Sequence, residues 1–113
     1  MKVGFIGLGN VGGKLANSLL RNKFDLTVID LDSSLTKNFA AKGASTIDSP
    51  KELAQKVDLI ITCLPSPSVC SEVMEKKDGV IEGLSKNKIW LEMSTTDNKE
   101  VKRIGELVKS KGA

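Results

Sequence analysis

Three glycines near the start of the chain, Gly7, Gly9 and Gly12, do most to limit what it can fold into. They form G-x-G-x-x-G between an apolar run, Val3 to Ile6, and a stretch in which Val11, Leu15, Ala16, Leu19 and Leu20 recur at helical spacing. The first glycine permits a tight turn, the second lets a pyrophosphate reach bare backbone, and the third lets helix and strand pack closely. A second strand, Leu26 to Ile29, ends in Asp30, eighteen residues beyond Gly12, where a carboxylate can accept hydrogen bonds from ribose hydroxyls. The stretch from Lys2 to Asp30 therefore implies a βαβ unit that binds a dinucleotide. Its turn is Gly7, Leu8, Gly9, Asn10, Val11 and Gly12, and its helix N-terminus is aimed at the diphosphate. A nucleotide-triphosphate loop ending at Gly13-Lys14 is excluded, because it needs glycine at Leu8 and a hydroxyl at Leu15.

Downstream, helical and strand patterns alternate. Asp32 and Ser33 offer caps for a helix through about Ala41, with Leu35, Phe39 and Ala40 as its buried side and Gly43 as its stop. A short strand spans Ala44 to Ile47, and Ser49-Pro50-Lys51-Glu52 is a capping box opening a helix over Glu52 to Lys56. Asp58 to Leu64 reads as a strand buried on both faces. A helix then runs from Ser66-Pro67-Ser68 to about Lys76, carrying Val69, Val73 and Met74 inward, with a short helical piece over Val80 to Leu84. Ile89 to Met93 is a last buried strand holding Trp90. Asp97 and Glu100 open a final helix whose stripe is Val101, Ile104, Leu107 and Val108, with Glu100–Arg103 and Lys102–Glu106 paired outside.

Such alternation predicts an α/β domain of the Rossmann type, a doubly wound parallel sheet in the order 3-2-1-4-5 with helices on both faces. Ligand would bind where strands one and four diverge, among the Gly7 to Gly12 turn, Asp30, Leu64-Pro65 and Ser94-Thr95-Thr96.

Composition narrows the chemistry. The chain has no histidine, which removes Ser-His-Asp and Cys-His catalysis and the commonest zinc ligand. Cys63 and Cys70 lack metal-type spacing, suit a reducing compartment, and Cys63 reads as a small buried hydrophobe. No metal site is expected. The net charge of +3 is spread out, and with three Phe, one Trp and no Tyr no nucleic-acid surface is expected. The first strand begins at once and no apolar run approaches ~20 residues, so a cytoplasmic protein without leader or membrane span is expected.

The chain resembles the β-hydroxyacid dehydrogenases, the family of 3-hydroxyisobutyrate dehydrogenase and 6-phosphogluconate dehydrogenase. The likeness runs from FIGLGNVGGKLANSL through CLP to EMSTTD. It implies that Leu64 and Pro65 line the cofactor along the adenosine and its ribose, and that Thr95 contacts the nicotinamide half. It departs from the family at Val11, Leu15, Ser18 and Asn98, and Val69 stands where an Asn often bonds the cofactor. The resemblance implies oxidation of a hydroxy acid to a semialdehyde with hydride transfer to NAD in a full-length enzyme. That enzyme carries its substrate segment and acid/base lysine in a helical domain outside this chain. Residues 1–113 are thus expected to be one cofactor domain, inactive by itself and without a catalytic residue of its own. Self-association, which the family achieves through that helical domain, is a further expectation. NAD is expected over NADP because Asp30 and Asp32 would repel a 2′-phosphate and no arginine follows. The alternative is a non-catalytic nucleotide-sensing domain of the potassium-transport type, which tends to carry Gly-Asp-Ala where this chain has Thr46-Ile47-Asp48. A methyltransferase using S-adenosylmethionine needs an acid where Phe5 and Ile6 stand.

Overall fold

A computed structural model describes residues 1–94 and 97–113. The elements run β1 (Lys2–Ile6), α1 (Asn10–Arg21), β2 (Asp25–Ile29), α2 (Ser33–Ala41), β3 (Ser45–Thr46), α3 (Pro50–Lys56), β4 (Leu59–Thr62), α4 (Pro67–Glu75), α5 (Val80–Gly83), β5 (Ile89–Glu92) and α6 (Asn98–Ser110). Five parallel strands lie in the order β3-β2-β1-β4-β5, as the alternation predicts.

Side chains alternate across the sheet, so each face has its own core. Val3, Phe5, Leu26, Val28 and Ile61 meet α1 and α2 through Ala16 and Phe39. On the opposite face Ile6 and Ile60 pack with Leu53, Met74, Val80 and Ile104 from α3 to α6. Polar interruptions of this interior are matched: the buried Thr62 hydroxyl accepts from Trp90 Nε1 at 2.9 Å.

Local chemistry sets the helix starts. Asp32, Ser49, Ser66 and Asp97 each accept a backbone N–H from the first turn of the helix that follows, and Pro50 and Pro67 stand where a missing N–H costs nothing. Gly43, at φ 108°, leads the chain out of α2.

Several expectations are corrected. Strand three shrinks to Ser45–Thr46, strand four to Leu59–Thr62, and α3 starts at Pro50. Ala40 is exposed, because α2 is a short edge helix that turns only Phe39 fully inward. Val11 is 65% exposed, since the first turn of α1 projects past the end of the sheet. Leu107 lies at the rim of α6 and stays exposed. Strand β5 is covered on one face only, where Trp90 and Glu92 are half-buried; Ile89 and Leu91 on the other face, and Met93 just past the strand, are exposed because α1 and α2 do not reach over this edge. Cys63 is half-buried just beyond β4, and Cys70 is the enclosed thiol. Among the described residues Glu106 pairs with Lys109, at 3.7 Å, rather than with Lys102. Glu100 does pair with Arg103, and Arg103 also reaches Glu75 of α4.

Candidate functional site

The C-terminal ends of β1, β2, β4 and β5 open into one cleft of about 1150 Å³. Parallel strands all leave the sheet at this end, so each loop after a strand faces the same space. Of the residues singled out from sequence, Gly7, Gly9, Asn10, Val11, Gly12, Asp30, Leu64 and Pro65 line it. Leu8 does not; it is buried behind the turn. Thr95 lies outside the described residues.

The three glycines differ physically. Gly7 has φ 101°, and a Cβ there would lie 2.2 Å from the Cys63 carbonyl oxygen, so the first strand can lie this close to the β4 loop only without a side chain. At Gly12 a Cβ would lie 2.0 Å from the Gly7 carbonyl oxygen, which ties α1 closely to the turn. Gly9 meets nothing within 4 Å. Its missing side chain is space facing the cleft, and a Cβ would fill the seat a diphosphate needs.

Helix α1 starts at that seat without a side-chain cap and with no acid in its first turn, whereas α2, α3, α4 and α6 are all capped by their own side chains. Its leading N–H groups are left for an anion. Across the turn, Asp30 is half-buried: Oδ2 accepts from the Leu8 N–H at 2.6 Å and Oδ1 from the Asp32 N–H at 2.8 Å. A carboxylate offers about four lone-pair sites, so each oxygen keeps one for a ribose hydroxyl. These residues fit a dinucleotide: open space over Gly9, free amides at α1, and an acid with acceptor capacity left.

Electrostatics around the cleft are uneven. Hydrogen bonds from the Ser34 hydroxyl and amide hold the Asp32 carboxyl below the usual carboxylate range, which keeps a second negative charge beside Asp30. Burial, with Glu92 nearby, pushes the Cys63 thiol up, so it lines the cleft as a neutral group. Among the described residues no cluster of three or more His, Cys, Asp or Glu side chains could hold a metal, and no helix is long and apolar enough to cross a membrane.

Sequence reasoning missed part of the wall. Leu31, wholly exposed at 99%, stands on the rim beside Asp30; Val69 of α4 lines the cleft instead of the core, and Val73 lines it while also packing against the core as expected. A large apolar residue between two acids in a loop, Asp30-Leu31-Asp32, was the available signal.

Comparison with known proteins finds relatives along nearly the whole chain. A family model described as the NAD binding domain of 6-phosphogluconate dehydrogenase matches residues 2–113. Mitochondrial 3-hydroxyisobutyrate dehydrogenase of Mus musculus is 35% identical over 98% of the chain and 33% of its own length. Glyoxylate/succinic semialdehyde reductase 1 of Arabidopsis thaliana is 35% identical over 99% of the chain and 39% of its own length. The crystal structure of a 3-hydroxyisobutyrate dehydrogenase from Salmonella typhimurium superposes with a TM-score of 0.91 at 25% identity, covering 99% of this chain and 39% of that one. The chain thus spans between about a third and two-fifths of the length of these relatives.

Proposed function

The chain belongs to the family of NAD-binding domains described for 6-phosphogluconate dehydrogenase, and from that premise we propose that it is the cofactor domain of an NAD-dependent 3-hydroxyacid oxidoreductase of the 3-hydroxyisobutyrate dehydrogenase kind. The observation that carries this reading is the pairing of an uncapped α1 N-terminus over open Gly9 with Asp30 at the end of β2. The amides of Gly9, Asn10 and Val11 take the diphosphate, and Asp30 takes the adenosine ribose. Leu64 and Pro65 form an apolar wall, and Thr95 meets the nicotinamide half. The cofactor, when bound, supplies the hydride acceptor.

Asp30 in the cleft wall, with the Asp32 charge two residues on at the start of α2, sets a preference for NAD, since both would repel a 2′-phosphate beside the ribose. Oxidation of the hydroxy acid to a semialdehyde needs a general base for the hydroxyl proton, and with no histidine in the chain we assign that base to a helical domain of a longer protein. Residues 1–113 alone bind cofactor and turn nothing over. The exposed Ile89 and Leu91 on β5 support a surface that further polypeptide or a second subunit covers, and two free thiols suit a reducing, cytoplasmic setting.

Titrating the chain with NADH and NADPH tests the reading. Saturable binding with NADH the tighter supports it; binding of neither, or NADPH the tighter, contradicts it. Measurable oxidation of a 3-hydroxy acid by the chain alone would overturn the assignment of the base to another domain.

A further inference from the structure

Glu92 ends β5 opposite Thr62 of β4, half-buried, and is absent from the cleft wall. Its two oxygens are both engaged. Oε1 accepts the backbone N–H of Ser94 at 2.7 Å, and Oε2 accepts the thiol of Cys70, from α4, at 2.6 Å. Ser94 in turn accepts the backbone N–H of Leu64 on its Oγ, at 2.6 Å. One connected set of hydrogen bonds therefore runs from α4 through the end of β5 to the loop after β4. Both Ser94 and Leu64 face the cleft, whereas Glu92 and Cys70 stand behind them.

We propose that Glu92 is a positioning residue for cofactor binding, holding the Ser94 turn directly and the Leu64-Pro65 wall through Ser94. This rests on the reading of the cleft given above. The sheet does not need the carboxylate: β5 is held by its ladder to β4, the Met93 N–H donates to the Thr62 carbonyl at 2.8 Å, and Trp90 is fixed by Thr62. What the carboxylate adds is the placement of two loops that leave the sheet side by side. A loop amide held by an ionised acceptor loses more freedom than one left to water, so the wall is set before the ligand arrives. Burial raises the Cys70 thiol well above its ordinary value, so it stays a donor and cannot become a competing anion beside Glu92. Asp30, at the end of β2, stands two strands from the loop after β4, with the β1 turn between them. ADP stops at the diphosphate and so reaches Asp30, the glycine turn and the Leu64-Pro65 wall but not the Ser94 turn, whereas NADH goes on to the Ser94 turn that Glu92 holds directly.

The test compares NADH and ADP affinity in the 113-residue chain for wild type, Glu92→Leu and Glu92→Gln. Leucine keeps the bulk and removes both acceptors; glutamine keeps one carbonyl oxygen for the Ser94 amide. Expected is a loss of about tenfold for NADH with Glu92→Leu, under about threefold for ADP, and recovery to within about threefold of wild type with Glu92→Gln. Equal losses for both ligands, no loss, or a glutamine variant as weak as the leucine variant would overturn the proposal while leaving the cleft reading intact. Wild type binding neither ligand would remove that reading and this inference together. If Glu92→Leu does not fold, Glu92→Val replaces it, because a β-branched residue suits a strand and likewise removes both acceptors. The same split supports the proposal, and wild-type NADH affinity in Glu92→Val defeats it.

Discussion

The backbone amide of Leu8 donates to Asp30 Oδ2 at 2.6 Å, across 22 residues of sequence. The acid at the end of β2 therefore fixes the glycine turn in which Leu8 sits, besides facing the cleft. Leu8 itself is 2% exposed and its amide is spent on the scaffold, so the diphosphate seat proposed above uses the amides that follow.

Replacing Asp30 should thus damage two things at once. Asp30→Ala removes a charge-assisted anchor of the turn together with the proposed ribose acceptor, and NADH affinity should fall by about 10- to 100-fold. Asp30→Asn, which removes the charge but keeps an acceptor, should narrow the gap between NADH and NADPH. Fluorescence titration with both cofactors checks each outcome, and an unchanged ratio in Asp30→Asn would show that the charge does not set the preference.

Gly9 and Gly12 should separate binding from stability. At Gly9, φ −65° and ψ −164° suit any residue and nothing lies within 4 Å, so Gly9→Ala should fold like wild type yet lose about tenfold or more in NADH affinity, its methyl standing in the diphosphate seat. Gly12→Ala would put a Cβ 2.0 Å from the Gly7 carbonyl oxygen and should cost about 1–3 kcal/mol of folding stability. Urea denaturation and cofactor titration of the two variants give opposite patterns if the roles are as described.

The Trp90–Thr62 hydrogen bond makes a prediction about the core. Trp90→Phe leaves a buried hydroxyl without its donor and opens space beside β4, and should destabilise the fold by about 1–3 kcal/mol. In the double variant with Thr62→Val the orphaned hydroxyl is gone, so the combined loss should be less than the sum of the single losses. Additive losses in urea denaturation would mean the hydrogen bond contributes little.

Much of this was legible in the chain because the decisive chemistry is local. A glycine triplet, a helix stripe and a closing acid within thirty residues define the β1-α1-β2 unit, and caps such as Asp32, Ser49 and Asp97 act on amides two or three residues away. The strand order followed because alternating elements with right-handed crossovers leave few topologies. What failed depends on where an element ends relative to the others. Val11 obeys the helical period, but the first turn of α1 overhangs the sheet. Ile89 and Leu91 read as buried because an apolar strand does not reveal whether a helix covers both its faces. The Leu8–Asp30, Glu92–Cys70 and Glu75–Arg103 contacts join residues 22 or more apart, and no spacing rule announces them.

Arg103 and Glu75 tie α6 to α4 by two parallel hydrogen bonds of 2.6 and 2.7 Å. The bond from Arg103 holds the Glu75 carboxyl below its ordinary value. A carboxylate depressed in the folded state adds stability that is present above its unfolded value and is lost as the pH falls through the folded one. Wild type should therefore exceed Glu75→Gln in thermal midpoint at neutral pH, with the difference vanishing as the pH drops below the normal glutamate range. A difference that persists in acid would assign the effect to packing instead of charge. Both side chains are well exposed, so the difference should be small and should shrink further in high salt.

The most direct measurement is a titration of the ¹⁵N-labelled chain with NAD, following each backbone amide by NMR. The largest saturable shifts should fall on Gly9, Asn10 and Val11 at the start of α1, with Asp30 and Leu31 shifting at the same ligand concentration. Saturable shifts centred elsewhere, or none at millimolar NAD, would contradict a diphosphate seated on the α1 N-terminus.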